Sequence, residues 1–166
     1  YALSQVTTDL VIQLEDDFVL KTEIDLTPLA ALLLLNNEIG MIRLNGVAGH
    51  SGLLASMQEW DISVLCPEYR QALGMIGRIS YWQCEVPCEQ LHVYSNHPQI
   101  KHKRFHANHG LYAEGQGLGQ TEASFAHMIK DNLLFDKAPK IAVPLELSTT
   151  WFDHIGKTWR IGELEG

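Results

Sequence analysis

The chain has 166 residues, 46% of them apolar and 19% charged, with a formal net charge of -8. That length supports one domain, residues 1–166, with a sizeable core, and the composition excludes a disordered chain. The negative balance argues against a general affinity for nucleic acid, and the longest apolar run, Leu29 to Leu35, is far short of the ~20 residues of a membrane-spanning helix.

The chain opens on Tyr1, which is not an initiator methionine, so it reads as processed or cut from something longer; no basic segment of a secretory signal is expected. Cys66, Cys84 and Cys88 are odd in number and form no disulfide framework. They read as reduced structural thiols in a cytoplasmic protein, and the "CEVPC" spacing does not match a zinc knuckle.

In chain order, Tyr1 to Asp9 reads as the end of a helix. "LVIQL" (10–14) is nearly continuous apolar, as expected for a strand buried on both faces of a parallel sheet. "DLTPLAALLLLNNEIG" predicts a helix, with Thr27 as N-cap, Pro28 in the first turn, and Asn36, Asn37 and Gly40 as the stop. "MIRLNGV" (41–47) is the next strand, and this β-α-β order predicts an α/β domain. "AGHSGLLASMQEWD" reads as a loop and "PEYRQALGMIG" as a short helix. "ISYWQCEV" (79–86) and "QLHVYS" (90–95) read as strands. The histidine-rich "NHPQIKHKRFHANHG" (96–110) and glycine-rich "EGQGLGQ" (114–120) are expected as loops. "TEASFAHMIKDN" predicts a helix N-capped by Thr121, "KIAVPLEL" a strand, and "WFDHIGKTWR" (151–160) closes the chain.

Glu15, Asp16 and Asp17 lie between two apolar runs. Adjacent like charges repel and prefer water, so the run is a solvated turn, a helix start, or a cation site at the end of a buried strand. Ligands of open α/β sheets bind outside the carboxyl ends of the strands, and carboxylates there suit Mg²⁺ or Mn²⁺.

"LEDDF" after an apolar strand resembles the DxD-type motif of GT-A-fold glycosyltransferases, particularly the family-2-like enzymes. Three downstream stretches resemble the same family in the same order: "YSNHPQIKHKRF", "GLYAEGQGLGQTEASFA" and "WFDHIGKTWR". The resemblance spans nearly the whole chain. It implies a Rossmann-like, mainly parallel mixed sheet flanked by helices. It implies Asp17 and His154 as ligands of Mn²⁺ or Mg²⁺, and Glu15 and Asp16 on the ribose or on the metal's waters. The donor would be a UDP- or GDP-sugar and the acceptor a carbohydrate or other hydroxyl. Glu122 would be the catalytic base, with Glu114 as the second candidate. A first-turn glutamate such as Glu122 is also an ordinary helix-stabilising choice. The family normally begins with a nucleotide-binding β-α-β unit. Only Tyr1 to Asp9 precede the first strand here, so that unit is expected to be missing.

The segment from His97 to His109 has three readings. His102, His106 and His109 on one helical face would suit zinc. A basic loop would present Arg104 to a diphosphate. A solvated surface loop needs no ligand. His154 has a second reading too, packed among Trp151, Phe152 and Trp159. Trp159 and Arg160 would close over the donor or cap the sheet, and His50 and Trp60 lie where acceptor contacts are plausible.

The expectation is therefore a metal-dependent, inverting glycosyltransferase domain. Its rivals are a nucleotidyl- or phosphoryl-transferring enzyme on the same acids, and a non-catalytic nucleotide- or carbohydrate-binding remnant.

Overall fold

The computed structural model describes residues 2–45, 57–59, 76–80, 94, 97–117, 120–132, 139–144 and 151–156. After one 3₁₀ turn (Ala2–Gln5) come β1 (Leu10–Gln13), β2 (Phe18–Leu20), α1 (Thr27–Leu35), β3 (Ile39–Arg43), β4 (Met57–Glu59) and β5 (Arg78–Ser80). These are followed by β6 (Gln99–His102), α2 (Arg104–His109), α3 (Gln120–Asn132), β7 (Lys140–Val143) and β8 (Phe152–His154).

Six strands form one mixed sheet in the order β1-β6-β3-β7-β5-β4, and β2 pairs with β8 in a small second sheet. The α/β class expected from the sequence is present. The mainly parallel sheet is not: among the described strands only β3 and β7 pair in parallel. The difference comes from β6, in a segment expected to be a loop. It lies antiparallel between β1 and β3, so those two strands run the same way without touching. Pro98 and the basic residues suggested a loop, yet Gln99–His102 alternates: Ile100 packs on the α1 side while Gln99 and Lys101 turn to the other face. β1 is correspondingly not buried on both faces, since Ile12 is 45% exposed.

Helix α1 begins one residue earlier than a Thr27 cap would place it. Asp25 accepts the Thr27 N–H at 2.9 Å, so the carboxylate two residues upstream does the capping. Pro28 fits the first turn, and Asn36 ends the helix while its Oδ1 takes the Glu38 N–H. Leu29, Leu32 and Leu33 bury one face of α1 against Ile39, Ile42, Ile100 and Ala142. Fully burying each such side chain is worth about 1.5–3 kcal/mol. On the opposite face of the sheet, Met41, Ile141 and Val143 meet Phe105 of α2 and Phe125, Ala126 and Ile129 of α3. α3 starts at Gln120, so Thr121 lies inside the first turn instead of capping it.

The strands read in 81–93, the helix read in "PEYRQALGMIG" up to Leu73–Met75, the three cysteines, His50, Trp60, Trp159 and Arg160 lie outside the described residues. Among the described residues no helix is long and apolar enough to cross a membrane.

The second core encloses a lysine. Lys101 is 0% exposed; its Nζ donates to Gln13 Oε1 at 2.6 Å and sits 5.1 Å from the Tyr112 ring and 5.6 Å from the Phe105 ring. Among the described residues no carboxylate pairs with it, and burial pushes its ammonium down to about 7. Between that pH and the ordinary lysine value the unfolded chain binds the extra proton, so stability rises with pH. Urea unfolding from pH 7 to 9.5 is expected to show a slope approaching about 1.4 kcal/mol per pH unit, and Lys101→Met is expected to flatten it. A flat wild-type profile would contradict this assignment.

Candidate functional site

β1, β3 and β7 all end on the same side of the sheet, because β1 and β3 run the same way and β7 is parallel to β3. The acidic run leaves the end of β1 at that side. From there the chain turns into β2, whose register with β8 sets Phe18 opposite His154. Asp17 Oδ2 and His154 Nε2 are 2.8 Å apart, and the Ile155 N–H donates to the Asp17 carbonyl at 2.7 Å. The His154 ring lies 4.9 Å from the Phe18 ring, and the His97 ring lies 5.6 Å from it.

Two features hold this pair in place. Asn45, just past β3, clamps β8: its Nδ2 donates to the Phe152 carbonyl at 2.9 Å and its Oδ1 accepts the Phe152 N–H at 3.0 Å. A side chain thus takes the part of a neighbouring strand. Gly156 passes so close that an added Cβ would collide with the Asp17 carboxylate. The other carboxylate oxygen, Oδ1, is buried with no hydrogen-bond partner among the described residues.

Glu15 joins the pair. Partial burial, then the charges of Glu122 and Asp17, push its carboxyl above the usual range, while His154 pulls it back. Glu122 reaches this place from the first turn of α3. It stands three and four residues before Phe125 and Ala126, on the helix face that packs on the sheet. Glu114, the other candidate base, lies exposed in the loop before α3 and is not among the charges that act on Glu15. Asp16 is exposed beside the pair and adds to the repulsion on Glu15.

Beneath the acids lies a polar row that the sequence reading did not single out. Gln13, Gln99 and Arg43 are register partners across β1, β6 and β3, on the face covered by α3. Arg43 and Gln99 are buried. Burial lowers the Arg43 guanidinium to about 10, while the charge of Glu122, and then Tyr112, holds it up. Tyr112 donates to the Tyr94 carbonyl at 3.3 Å, and burial raises its phenol well above the usual range. An arginine inside an apolar strand was the available signal, since a strand covered on both faces cannot send a guanidinium to water.

Arg104 is elsewhere. It follows the opposite end of β6 from Gln99, where Lys103 pairs with Asp9 at 2.8 Å. Its guanidinium donates to the carbonyls of Leu33 and Asn36, at the end of α1. The diphosphate role expected of it is replaced by helix capping. His102, His106 and His109 sit at that same far end. His106 Nδ1 meets the Gly110 carbonyl at 2.8 Å, and burial depresses its imidazole to about 4. Among the described residues no group of three or more His, Cys, Asp or Glu side chains is gathered tightly enough to hold a metal ion by itself.

No family model, curated protein or solved structure matches this chain.

Two substitutions test this geometry. Gly156→Ala is expected to destabilise by about 1–3 kcal/mol and to displace the Asp17 carboxylate from His154, visible as a changed His154 ring nitrogen signal in NMR spectra. In an Asp17→Ala background most of that cost is expected to vanish. Arg104→Met is expected to cost about 1–3 kcal/mol by orphaning the α1 carbonyls, and to leave divalent-cation and nucleotide binding unchanged.

Proposed function

We propose that this chain is the site-bearing part of a GT-A-type glycosyltransferase that uses a divalent cation to move a sugar from a UDP- or GDP-sugar to an acceptor hydroxyl. The observation that carries this reading is convergence. Glu15 and Asp17 of one acidic run, Glu122 and His154 come from three distant parts of the sequence and meet at the carboxyl ends of β1 and β3. That is where ligands of α/β sheets bind.

The donor set suits Mn²⁺ or Mg²⁺. Asp17 offers a carboxylate with one oxygen lacking a hydrogen-bond partner, and His154 an imidazole fixed beside it. These two residues would hold the cation. When bound, it would offset the negative charge that gathers on the departing nucleoside diphosphate. Two protein ligands would leave room for diphosphate oxygens and water.

The chain's own residues supply the rest. Glu122 accepts the acceptor's hydroxyl proton as that oxygen bonds to the anomeric carbon. The bond from the anomeric carbon to the diphosphate oxygen breaks, and its electron pair leaves with the nucleoside diphosphate. This is a single displacement with inversion. Glu15 and Asp16 face the ribose side of the donor.

Calorimetry of Mn²⁺ binding with and without UDP or GDP tests the reading. Binding that one nucleotide tightens and Asp17→Asn abolishes is the expected result. Glu122→Gln is expected to keep that binding and to slow transfer about 10²–10⁴-fold. Nucleotide binding that ignores both Mn²⁺ and Asp17→Asn would overturn the metal site.

A further inference from the structure

We infer that the cavity at the start of α1 binds a small organic cation, its ammonium head at Glu23 and Asp25 and its apolar body against Trp151 and Leu29. This goes beyond the transferase reading and does not rest on it.

The cavity follows from how the chain enters α1. Ile24 packs against the α1-side core, while Glu23 and Asp25 on either side of it are exposed. Asp25 accepts the Thr27 N–H and Pro28 takes the first turn, so the helix begins directly behind the acids. Between this entry and Trp151, the residue before β8, a space of about 190 Å³ stays open. Ile24, Pro28, Leu29, Ile76 and Trp151 line it together with Glu23 and Asp25. Leu29, Ile76 and Trp151 are buried members of the core, so the floor is apolar and held in place. An apolar cavity of about 150 Å³ already takes a benzene ring, so the space suits one ring or a short branched alkyl chain.

Charge selects the occupant. The two carboxylates are the only charged groups among the lining residues. Asp25 is partly engaged, since hydrogen bonds from Thr27 hold its carboxyl below the usual range. Glu23 has neither hydrogen bond nor ion pair among the described residues, and Lys21, the nearest cation along the chain, is turned to Asp153 at 3.1 Å. An anionic occupant would be repelled at the mouth, and a purely apolar one would leave Glu23 without a partner. An ammonium gains a charge-assisted contact there while its body removes apolar surface from water. Trp151 adds an indole wall, the aromatic side chain that attracts cations most strongly. The Trp151 indole N–H has no acceptor among the described residues, so it reports on an occupant without first breaking a bond.

Benzylammonium is the probe. It is titrated against the full chain without Mn²⁺ or nucleotide, and the assigned Trp151 indole N–H is followed by NMR. The expected result is a saturable shift with a Kd on the order of 1 mM, in keeping with so small a ligand. Benzyl alcohol, nearly the same shape but neutral, is expected to bind about 2–5-fold more weakly, and benzoate to give no saturable shift. Glu23→Gln is expected to weaken benzylammonium about 2–5-fold and Glu23→Lys to weaken it further, while Glu38→Gln at the other end of α1 leaves it unchanged. Both Glu23 variants alter an exposed side chain, so the fold is kept. No saturable Trp151 shift, equal binding of benzyl alcohol and benzylammonium, or indifference to both Glu23 variants overturns the inference.

Discussion

The contact between Asp17 and His154 spans 137 positions of sequence, and the candidate site depends on it. Neither side chain sits in the main sheet. His154 ends β8 and Asp17 immediately precedes β2, in a two-stranded ladder that is short and largely exposed and has little core of its own. Something else must hold it. Asn45 does so from the end of β3 by exchanging two hydrogen bonds with Phe152, and the Trp151 carbonyl accepts the Lys21 N–H. Trp151 and Phe152 then sink into the α1-side core. The ladder is therefore fastened to the sheet at one end and carries the acid and the imidazole at the other. An irregular connection fixed to a rigid sheet in this way is the usual setting for functional side chains.

Charge is distributed across the site in layers. The outer layer is anionic: Glu15, Asp16 and Asp17, with Glu122 brought in by α3. Beneath it, on the α3 face of the sheet, lie Arg43 and Lys101 among Gln13, Gln99 and Tyr112. The buried Arg43 lies under the clustered acids and is acted on by the charge of Glu122. A buried charge is weak evidence for stability, since an apolar side chain of like volume packs as well or better. Its cost is more readily understood as the cost of holding acids in one place. Such trade-offs between stability and a fixed polar arrangement concentrate at functional sites.

Much of this was readable in the sequence where local chemistry and tertiary context agree. The leucine run with Pro28 before it and the asparagines after it gave α1. Phe125 and Ile129 at helical spacing gave α3, and the acidic run marked a strand's end. What failed was the segment around β6. Histidines and basic residues imply water, but Lys101 is enclosed by two aromatic rings and a glutamine, a setting made by residues far away in sequence. Arg104 was misplaced for the same reason: its partners are carbonyls of α1, which no sequence pattern announces. The antiparallel insertion of β6 also escaped notice, because "LVIQL" carries the same apolar run whether it lies in the middle of a sheet or on its edge. Of the site itself, Asp17, His154, Glu15 and Glu122 came from an ordered set of motifs, and the polar row below them came only from the register.

The central claim is that these four residues form one cation-dependent site. Paramagnetic broadening of NMR signals by substoichiometric Mn²⁺ tests it most directly, because broadening falls steeply with distance from the ion. The account predicts selective loss of the His154 ring signals and of the resonances around Glu15, Asp17 and Glu122, with those of His102, His106 and His109 retained. Broadening centred on those three histidines, or spread evenly over the acidic surface, would contradict it.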